Sequence, residues 1–547
     1  MAIRRYTASA DTTIVNAYKS NLRTRGTGSN AGQADVMEVF SIYGRQQVSS
    51  SATTASQELS RLLVQFPVAS IATERNSGKI PASGSVNFYL KLYNAKTSKT
   101  VPRNFELVIL PISQSWQEGD GLDLENYKDV TQDKEGANWI NAGSSSSGVS
   151  KWKSITGGSS VGGSYKTGSS GDSQFIYSQS FSSGLEDLEV DITGLVEEWM
   201  ASQTGSATDG IDNYGVGVHL SSSYEGHFSS SNGVSNSGSV IQNPQGALKS
   251  YYTKRFFARG TQYFFKKPVI EARWNSIKRD DRANFYYSSS LAPSGQNLNT
   301  LFLYNYIRGR LVDIPGLDEG KLLVSLYSGS ADNSGPTGSA LLLYGPGQGA
   351  GGKYAVTASK ASTGIYSCSV AITAASTPIE ILFDVWHSGA NTPANGSTQY
   401  VTASFRPQTF GGQTNTREPV YYCNITNLQE SYTPTQNARF NLYIREKYWS
   451  PTVYTKADED PPTTSITSAS YRVYRILDGL GVVPHRTGSN MATGLSYDVS
   501  GNYFDFDMRL LEPGYAYAFK FAFYDPELKS WQEQDQTFKF RVENYEY

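Results

Sequence analysis

Apolar and polar residues alternate with period two in several stretches of this 547-residue chain, the pattern of strands that bury one face. Leu62, Val64, Phe66 and Val68 alternate in one run, and Val86, Phe88, Leu90 and Leu92 in the next. Phe105 to Ile112 follows as a nearly continuous apolar stretch. Strand patterns return over Asn299 to Ser328 and Ile365 to His387, and then in Phe440, Leu442 and Ile444. Phe504, Phe506, Met508 and Leu510, and finally Tyr515, Tyr517, Phe519, Phe521 and Phe523, keep the same period. One segment departs from it. In Leu188 to Met200 the residues Leu195, Val196, Trp199 and Met200 share a helical face, with Asp191 or Thr193 as the cap and Glu197 and Glu198 in the early turns. The expectation is a mainly β protein with one short helix.

The stretches between these runs divide the chain. From about Asn141 to Gly184 the sequence is mostly Ser and Gly, the composition of a flexible loop. Trp152, Tyr165, Phe175 and Tyr177 recur inside it, which predicts a loop pinned at intervals to a sheet face or to a neighbouring subunit. A second Ser/Asn/Gly loop spans Ser221 to Ser239. A charged boundary, Lys278 to Arg282, and a polar linker, Gly411 to Pro419, separate three modules: 1–282, 283–408 and 409–547. Three β-sandwiches suit the length at roughly 150 residues per domain. The first opens with a polar arm, Arg4 to Ile14 and Asn21 to Gly32, which either lies across a neighbouring subunit or forms an edge strand of its own domain.

Composition narrows the function classes. Hydrophobic residues are 38% and charged residues 18%, below the usual values of about 45–50% and about 25%, while aromatic residues reach 13%. That aromatic content excludes a disordered chain. A formal net charge of −2 offers no field for a phosphate backbone, so nucleic acid is not an expected partner. Met1 to Ala10 has a basic pair without an apolar core, and no run of 18 apolar residues occurs; the expectation is a protein neither conventionally exported nor membrane-spanning. Cys368 and Cys423 are read as two buried thiols in different strands, with a single bridge as the alternative.

Candidate chemistry is sparse. Gly158-Ser-Ser-Val-Gly162 fits the nucleophile-elbow string, but it sits in the Ser/Gly-rich loop, where no strand-to-helix turn is expected. Gly347 to Gly352 fits a dinucleotide string, but Lys353 to Ala358 reads as a strand where a helix would have to begin. His219, His227, His387 and His485 lack metal-site spacing. Glu118-Gly-Asp120, Asp280-Asp281 and Asp458-Glu-Asp460 read as solvated loop charge, with weak structural calcium as the alternative. A carboxylate pair for glycoside cleavage stays open, because its separation is spatial. The final aromatic stripe reads as core, with a sugar platform as the alternative. No residue is assigned as catalytic, cofactor-binding or metal-binding, no cofactor is expected, and the chain is read as a non-enzyme.

Ser115-Trp-Gln-Glu-Gly-Asp-Gly121, Trp152, Val190-Asp-Ile-Thr-Gly-Leu-Val-Glu-Glu-Trp199, Tyr214-Gly-Val-Gly-Val218 and Lys267-Pro-Val-Ile-Glu271 resemble the DNRLRE-type jelly-roll domains of surface-attached and virion proteins. The literal Asp-Asn-Arg-Leu-Arg-Glu string is absent. This resemblance implies a non-catalytic N-terminal jelly-roll that serves as scaffold or adhesin. Asn427 to Tyr432, Asn437 to Thr455, Leu495 to Met508 and Leu511-Glu-Pro-Gly-Tyr515 resemble virion structural proteins of contractile-tailed marine bacteriophages, cyanophages in particular.

Together these imply a jelly-roll sandwich followed by two immunoglobulin-like sandwiches, forming part of a virion neck, tail or baseplate and assembled in the host cytoplasm. The expected partners are other virion proteins and further copies of the same chain, without a membrane. A carbohydrate-binding surface adhesin and a glycan depolymerase are the alternatives.

Overall fold

The computed structural model describes residues 2–19, 26–49, 52–98, 100–122, 135–145, 148–153, 158–167, 172–203, 211–225, 251–317, 322–329, 335–346, 351–373, 379–389, 397–409, 420–450 and 463–544. The fold is mainly β, and the chain divides into two compact units, Ala2–Asn275 and Ser276–Tyr547. No helix among the described residues is long and apolar enough to cross a membrane.

Two antiparallel sheets build the first unit. One is ordered β1 (Ile3–Thr7), β13 (Val269–Arg273), β5 (Asn87–Leu92), β10 (Leu188–Asp191). The other is ordered β12 (Tyr251–Phe257), β3 (Val36–Ser49), β4 (Ala52–Gln65), β11 (Val216–Leu220), β6 (Phe105–Pro111), β9 (Tyr177–Phe181). β2 (Ala10–Val15) pairs with the end of β4, Ala10 opposite Gln65 and Val15 opposite Ser60. The polar N-terminal stretch is therefore two strands of its own unit, and the arm over a neighbour is corrected; residues 21–25 lie outside the described set.

From Leu59 to Val64, β4 is buried on both faces, since Leu62 and Val64 have no exposure and neither do Leu59 and Leu63. The Ser/Gly-rich stretch supplies the cover on one side. Trp139, Trp152 and Tyr165 close over Ile14, Leu59, Leu63, Leu110 and Ile112. Trp152 donates its Nε1 hydrogen to the Asn138 carbonyl at 2.8 Å. The loop is pinned to its own sheet, and it contains the hairpin of β7 (Asn141–Ser145) and β8 (Gly148–Lys151).

The expected helix forms as α2 (Thr193–Gln203), directly after the strand Leu188–Asp191. Asp191 Oδ1 accepts from Thr193 N at 2.9 Å and from its hydroxyl at 2.6 Å, and Thr193 Oγ1 accepts from Phe88 N at 2.8 Å. The Asp-Ile-Thr element thus starts the helix and ties it to β5. Trp199 is fully buried.

A longer helical content is the correction here. α1 (Val68–Asn76) occupies a place where the alternating run ends, begins after Pro67, and stops at Gly78, whose φ is +72°. The helices are clamped by Arg75 on Glu197 at 2.5 and 2.6 Å.

In the second unit, residues 285–405 carry a sheet of Asn299–Tyr304, Ile365–Val370 and Ser359–Ser362 and another around Leu322–Gly329, Leu382–Ser388 and Gln399–Phe405. Leu301, Leu303, Val324, Leu326, Cys368 and Trp386 share one core. Beyond them, Tyr421–Ile425, Asn437–Glu446, Gly501–Asp507 and Ser496–Asp498 form one sheet. The other includes Ala469–Arg475, Tyr515–Asp525 and Phe538–Val542.

These last two sheets meet through rings. Phe440 lies 4.9 Å from Phe519 and Tyr471 4.5 Å from Phe504 across the interface, while Phe519 lies 4.7 Å from Phe540 within one sheet. Tyr517, Phe519, Phe521 and Phe523 are buried, so this stripe is core. Phe504→Ala opens a cavity between the sheets and is expected to cost about 3–5 kcal/mol, read as a fall in the denaturant midpoint of full-length protein.

Candidate functional site

Among the described residues, Ser325, Ser470 and His387 are buried, and Ser160, His219 and His485 are partly buried. Ser160 of the elbow string donates its hydroxyl to the Gly163 carbonyl at 3.2 Å, and no helix follows. Beside it, Arg61 on β4 donates Nε and Nη2 to Glu225 at 2.8 and 2.6 Å and Nη1 to the Gly162 carbonyl at 2.8 Å. Its guanidinium lies against Trp139 and Tyr165, 5.4 and 5.7 Å from the ring centres. His219 Nδ1 is 3.7 Å from Glu225. Burial draws the His219 pKa down and so favours the neutral ring. Burial opposes the charge on Glu225, yet Arg61 holds its pKa below the usual range. This cluster braces the loop rather than presenting a nucleophile.

Two further Ser–His contacts occur. Ser325 Oγ is 3.0 Å from His387 Nε2, and both residues are fully buried. Ser470 Oγ is 3.0 Å from His485 Nδ1 and 2.8 Å from Thr493 Oγ1, with Glu533 3.6 Å from His485 Nε2. The second set has the residue types of a hydrolytic triad, but Ser470 is fully buried and Glu533 is held by Arg472 at 2.6 Å and Lys520 at 3.2 Å. A nucleophile needs an open approach for the reacting carbon. Burial lowers the pKa of both His387 and His485.

Asp120 is exposed, as loop charge would be, but Glu118 is half-buried and engaged with distant segments, which corrects the reading of solvated loop charge there. Glu118 receives Arg259 at 3.1 and 2.7 Å and the Asp11 backbone N–H at 2.8 Å. Asp11 accepts from Arg259 N at 2.5 Å. Asn30 fills the turn beside them, donating to the Glu118 and Ala137 carbonyls at 2.9 and 2.8 Å and accepting from Gly121 N at 2.9 Å. A Cβ on Gly119, whose φ is +83°, would meet Asn30 at 2.4 Å. Trp116 donates to the Tyr214 carbonyl at 2.8 Å. The Trp-x-Glu-Gly element therefore latches three distant segments of the first unit.

Asp280 and Asp281 also lie inside. Arg282 donates to Asp280 at 2.6 Å, to Asp384 at 2.6 Å and to the Phe302 carbonyl at 2.6 Å, while Asp384 accepts from Trp386 Nε1 at 2.6 Å. Asp281 accepts from Thr300 N at 2.6 Å and Tyr497 OH at 2.5 Å. Lys278 to Arg282, expected as a boundary, thus joins the two halves of the second unit.

Among the described residues no group of three or more His, Cys, Asp or Glu is placed to hold a metal. Cys368 and Cys423 are free and buried, and burial pushes both thiols up to about 12. His227, Asp458 to Asp460, residues 347–350 of the dinucleotide string and the linker 411–419 lie outside the described residues; Lys353 bridges back to Leu343.

Among the described residues, several exposed side chains are aromatic, some beside arginines. On the outer side of the 421–446 strands, Arg445 lies 5.5 Å from the Tyr422 ring and 5.9 Å from Trp449, and Tyr448 is 62% exposed. Arg439 covers the buried Tyr503 ring at 4.6 Å and pairs with Asp505 at 2.8 Å. Tyr306 and Ile307 are exposed on a hairpin whose turn, Arg308-Gly309, has φ of 50° and 76°. Sequence reasoning missed this face; the alternation Tyr422/Asn424 opposite Tyr443/Arg445 was its signal.

No family model matches the chain, and no curated protein does. Among solved structures, the chain is similar at 14% identity to titin domains z1z2 in complex with telethonin, covering 42% of this chain and 89% of that one, with a TM-score of 0.13. It is similar at 11% identity to trypsin-activated alpha-2-macroglobulin from Escherichia coli, covering 55% and 19%, with a TM-score of 0.14.

Two outcomes check the internal networks. Arg282→Met leaves two buried carboxylates without their cation and is expected to cost about 3–5 kcal/mol, read by chemical denaturation. Burial raises the Asp11 pKa to about 7, the Arg259 N–H opposing and Glu118 adding. Between the unfolded value of roughly 4 and that raised value the folded state binds more protons, so this group's contribution rises as pH falls from 7 to 4. Asp11→Asn is therefore expected to gain stability over the parent at pH 8 and to lose that advantage towards pH 4, read as melting temperatures across the range.

Proposed function

We propose that this chain is a structural component of a bacteriophage virion, in the neck, tail or baseplate region, working through assembly rather than turnover. In this reading residues 1–282 are a jelly-roll sandwich, and 283–408 and 409–547 are immunoglobulin-like sandwiches. The observation that carries the assembly reading is the contrast between interior and surface. Ser160, Ser325 and Ser470 and the histidines near them are spent on internal contacts, whereas Tyr, Trp and Arg are displayed outside. Those surface types are the ones that concentrate binding energy at protein interfaces.

The immunoglobulin-like reading of the last module is supported by Tyr517. Its ring is buried at the start of a strand and its hydroxyl donates to the Glu512 carbonyl at 2.7 Å, five residues upstream, the arrangement of a tyrosine corner. Gly514, with φ of +91°, turns the chain between them.

Mass spectrometry of purified particles should find the chain in the virion; its absence from particles made by expressing cells would overturn this placement. A serine-directed fluorophosphonate is expected to leave Ser160, Ser325 and Ser470 unlabelled in the folded protein, and labelling of any of them would revive an enzymatic reading. The adhesin reading has one observation in its favour, the exposed Tyr448 and Tyr422 beside Arg445; a glycan array without hits would end it.

A further inference from the structure

A lysine with almost no exposure is unusual, because an ammonium taken out of water is costly to keep charged. Lys254 is 1% exposed. It stands on β12 two residues before Phe256, and Phe256 bridges to Asn94 just beyond the end of β5. The two polar side chains meet there, with Lys254 Nζ 2.7 Å from Asn94 Oδ1. With a carbonyl bond of about 1.2 Å, a nitrogen that close to the oxygen lies within about 4 Å of Cγ. That is near the roughly 3–3.5 Å from which an amine attacks a carbonyl carbon.

The surroundings suit such an attack. The Phe181 and Phe256 rings lie 5.0 and 4.9 Å from Nζ, both are buried, and Phe105 stacks on Phe181 at 5.1 Å. These rings keep out the water that would compete for the carbon. Burial draws the Lys254 pKa down to about 8 against the pull of Asp187 and Glu186, so about a tenth of the molecules carry the neutral amine at pH 7. Asp187 also accepts the Asn94 backbone N–H at 2.7 Å, which fixes the residue that bears the amide. The Glu186 carbonyl accepts from Nζ at 2.6 Å, and the carboxylate oxygen Oε2 of the same residue is shielded from solvent without a hydrogen bond among the described residues. A proton carrier thus stands beside the pair.

We propose that Lys254 and Asn94 are a modification site, joined in the folded protein by an amide bond between Nζ and Cγ that forms without another enzyme. The neutral amine attacks Cγ, and the bond from Cγ to the amide nitrogen breaks. That nitrogen takes a proton from the amine and leaves as ammonia. One C–N bond replaces another, so no oxidant, reductant or cofactor is required. Exchange of one amide for another is close to balanced, and escape of ammonia into solution drives it. The N–H left on Nζ still donates to the Glu186 carbonyl. The bond ties β12, in one sheet of the first unit, to the end of β5 in the other, across 160 residues of sequence. It restricts the unfolded chain as a disulfide would, in a protein whose two cysteines are free. This holds whatever assembly the chain belongs to, and its test does not depend on that placement.

The intact mass of denatured full-length protein, allowing for removal of Met1, is expected to fall short of the sequence mass by one ammonia. Trypsin should release a branched peptide that joins residues 92–96 to residues 250–255, since an acylated Lys254 is no longer a cleavage site. Both signals should be lost in Asn94→Ala and in Lys254→Met. The parent chain supplies the decisive readout, so a variant that folds poorly does not weaken it. A parent mass equal to that of the sequence would overturn the cross-link. Loss of ammonia without the branched peptide, as a succinimide would give, overturns it too, and so does a branch from Lys254 to a residue other than Asn94.

Discussion

An ionised side chain taken out of water costs several kcal/mol unless opposite charge and hydrogen bonds replace the solvent, and both units are organised around meeting that condition. Across the first sheet Arg5, Glu271, Arg273, Glu189 and Lys91 form a row over four strands, with Arg5 to Glu271 at 2.7 Å, Arg273 to Glu271 at 2.6 Å and to Glu189 at 2.7 Å. Burial works against the charge on Glu271, but Arg5, Lys91 and Arg273 hold its pKa well below the ordinary range. Slipping any of these strands by one residue would move its charge to the other face and leave the partners unpaired. Arg282 between Asp280 and Asp384 imposes the same requirement in the second unit. Such rows set register more than they add net stability.

Lys254 shows how complete the matching is. Its ammonium has three donors and meets three acceptors, Asn94 Oδ1 at 2.7 Å, the Gly184 carbonyl at 3.1 Å and the Glu186 carbonyl at 2.6 Å, with Phe181 and Phe256 about 5 Å away. Burial draws its pKa down to about 8, and Asp187 and Glu186 pull the other way. Lys254 and Phe256 of this strand are thus parts of an internal cage.

The strands Asn87–Leu92 and Asn299–Tyr304 were legible because their burial follows or nearly follows the alternation of the sequence, and Tyr515–Asp525 because its aromatic stripe is buried even though Ala518 and Ala522 on its other face are buried too. α2 was legible from its apolar face. α1 was not, because Val68 also completes the alternating run from Leu62, although Pro67, the Val68/Ile71 spacing and Gly78 mark a helix. The length of the β3–β4 hairpin was hidden for a different reason: Gly44 to Gln57 has no apolar period to read. The internal networks were illegible in principle. Arg5 and Glu271 are 266 residues apart, and Arg259 and Glu118 are 141 apart, so only the folded chain brings them together. Acidic pairs that look solvated in a sequence become buried once such a partner exists.

A chain this poor in charge cannot spread it over the surface, and the structure spends many of its ion pairs inside. The consequence for function is chemical. A catalytic group works because something about it is left unsatisfied and reachable, a perturbed base or a nucleophile at a cleft. Here Ser470 is saturated by Thr493 and His485, and Arg61 by Glu225 and Gly162. Rings such as Tyr448 stand exposed at the surface. Covering such rings with protein buries large area at low cost in rotamer freedom.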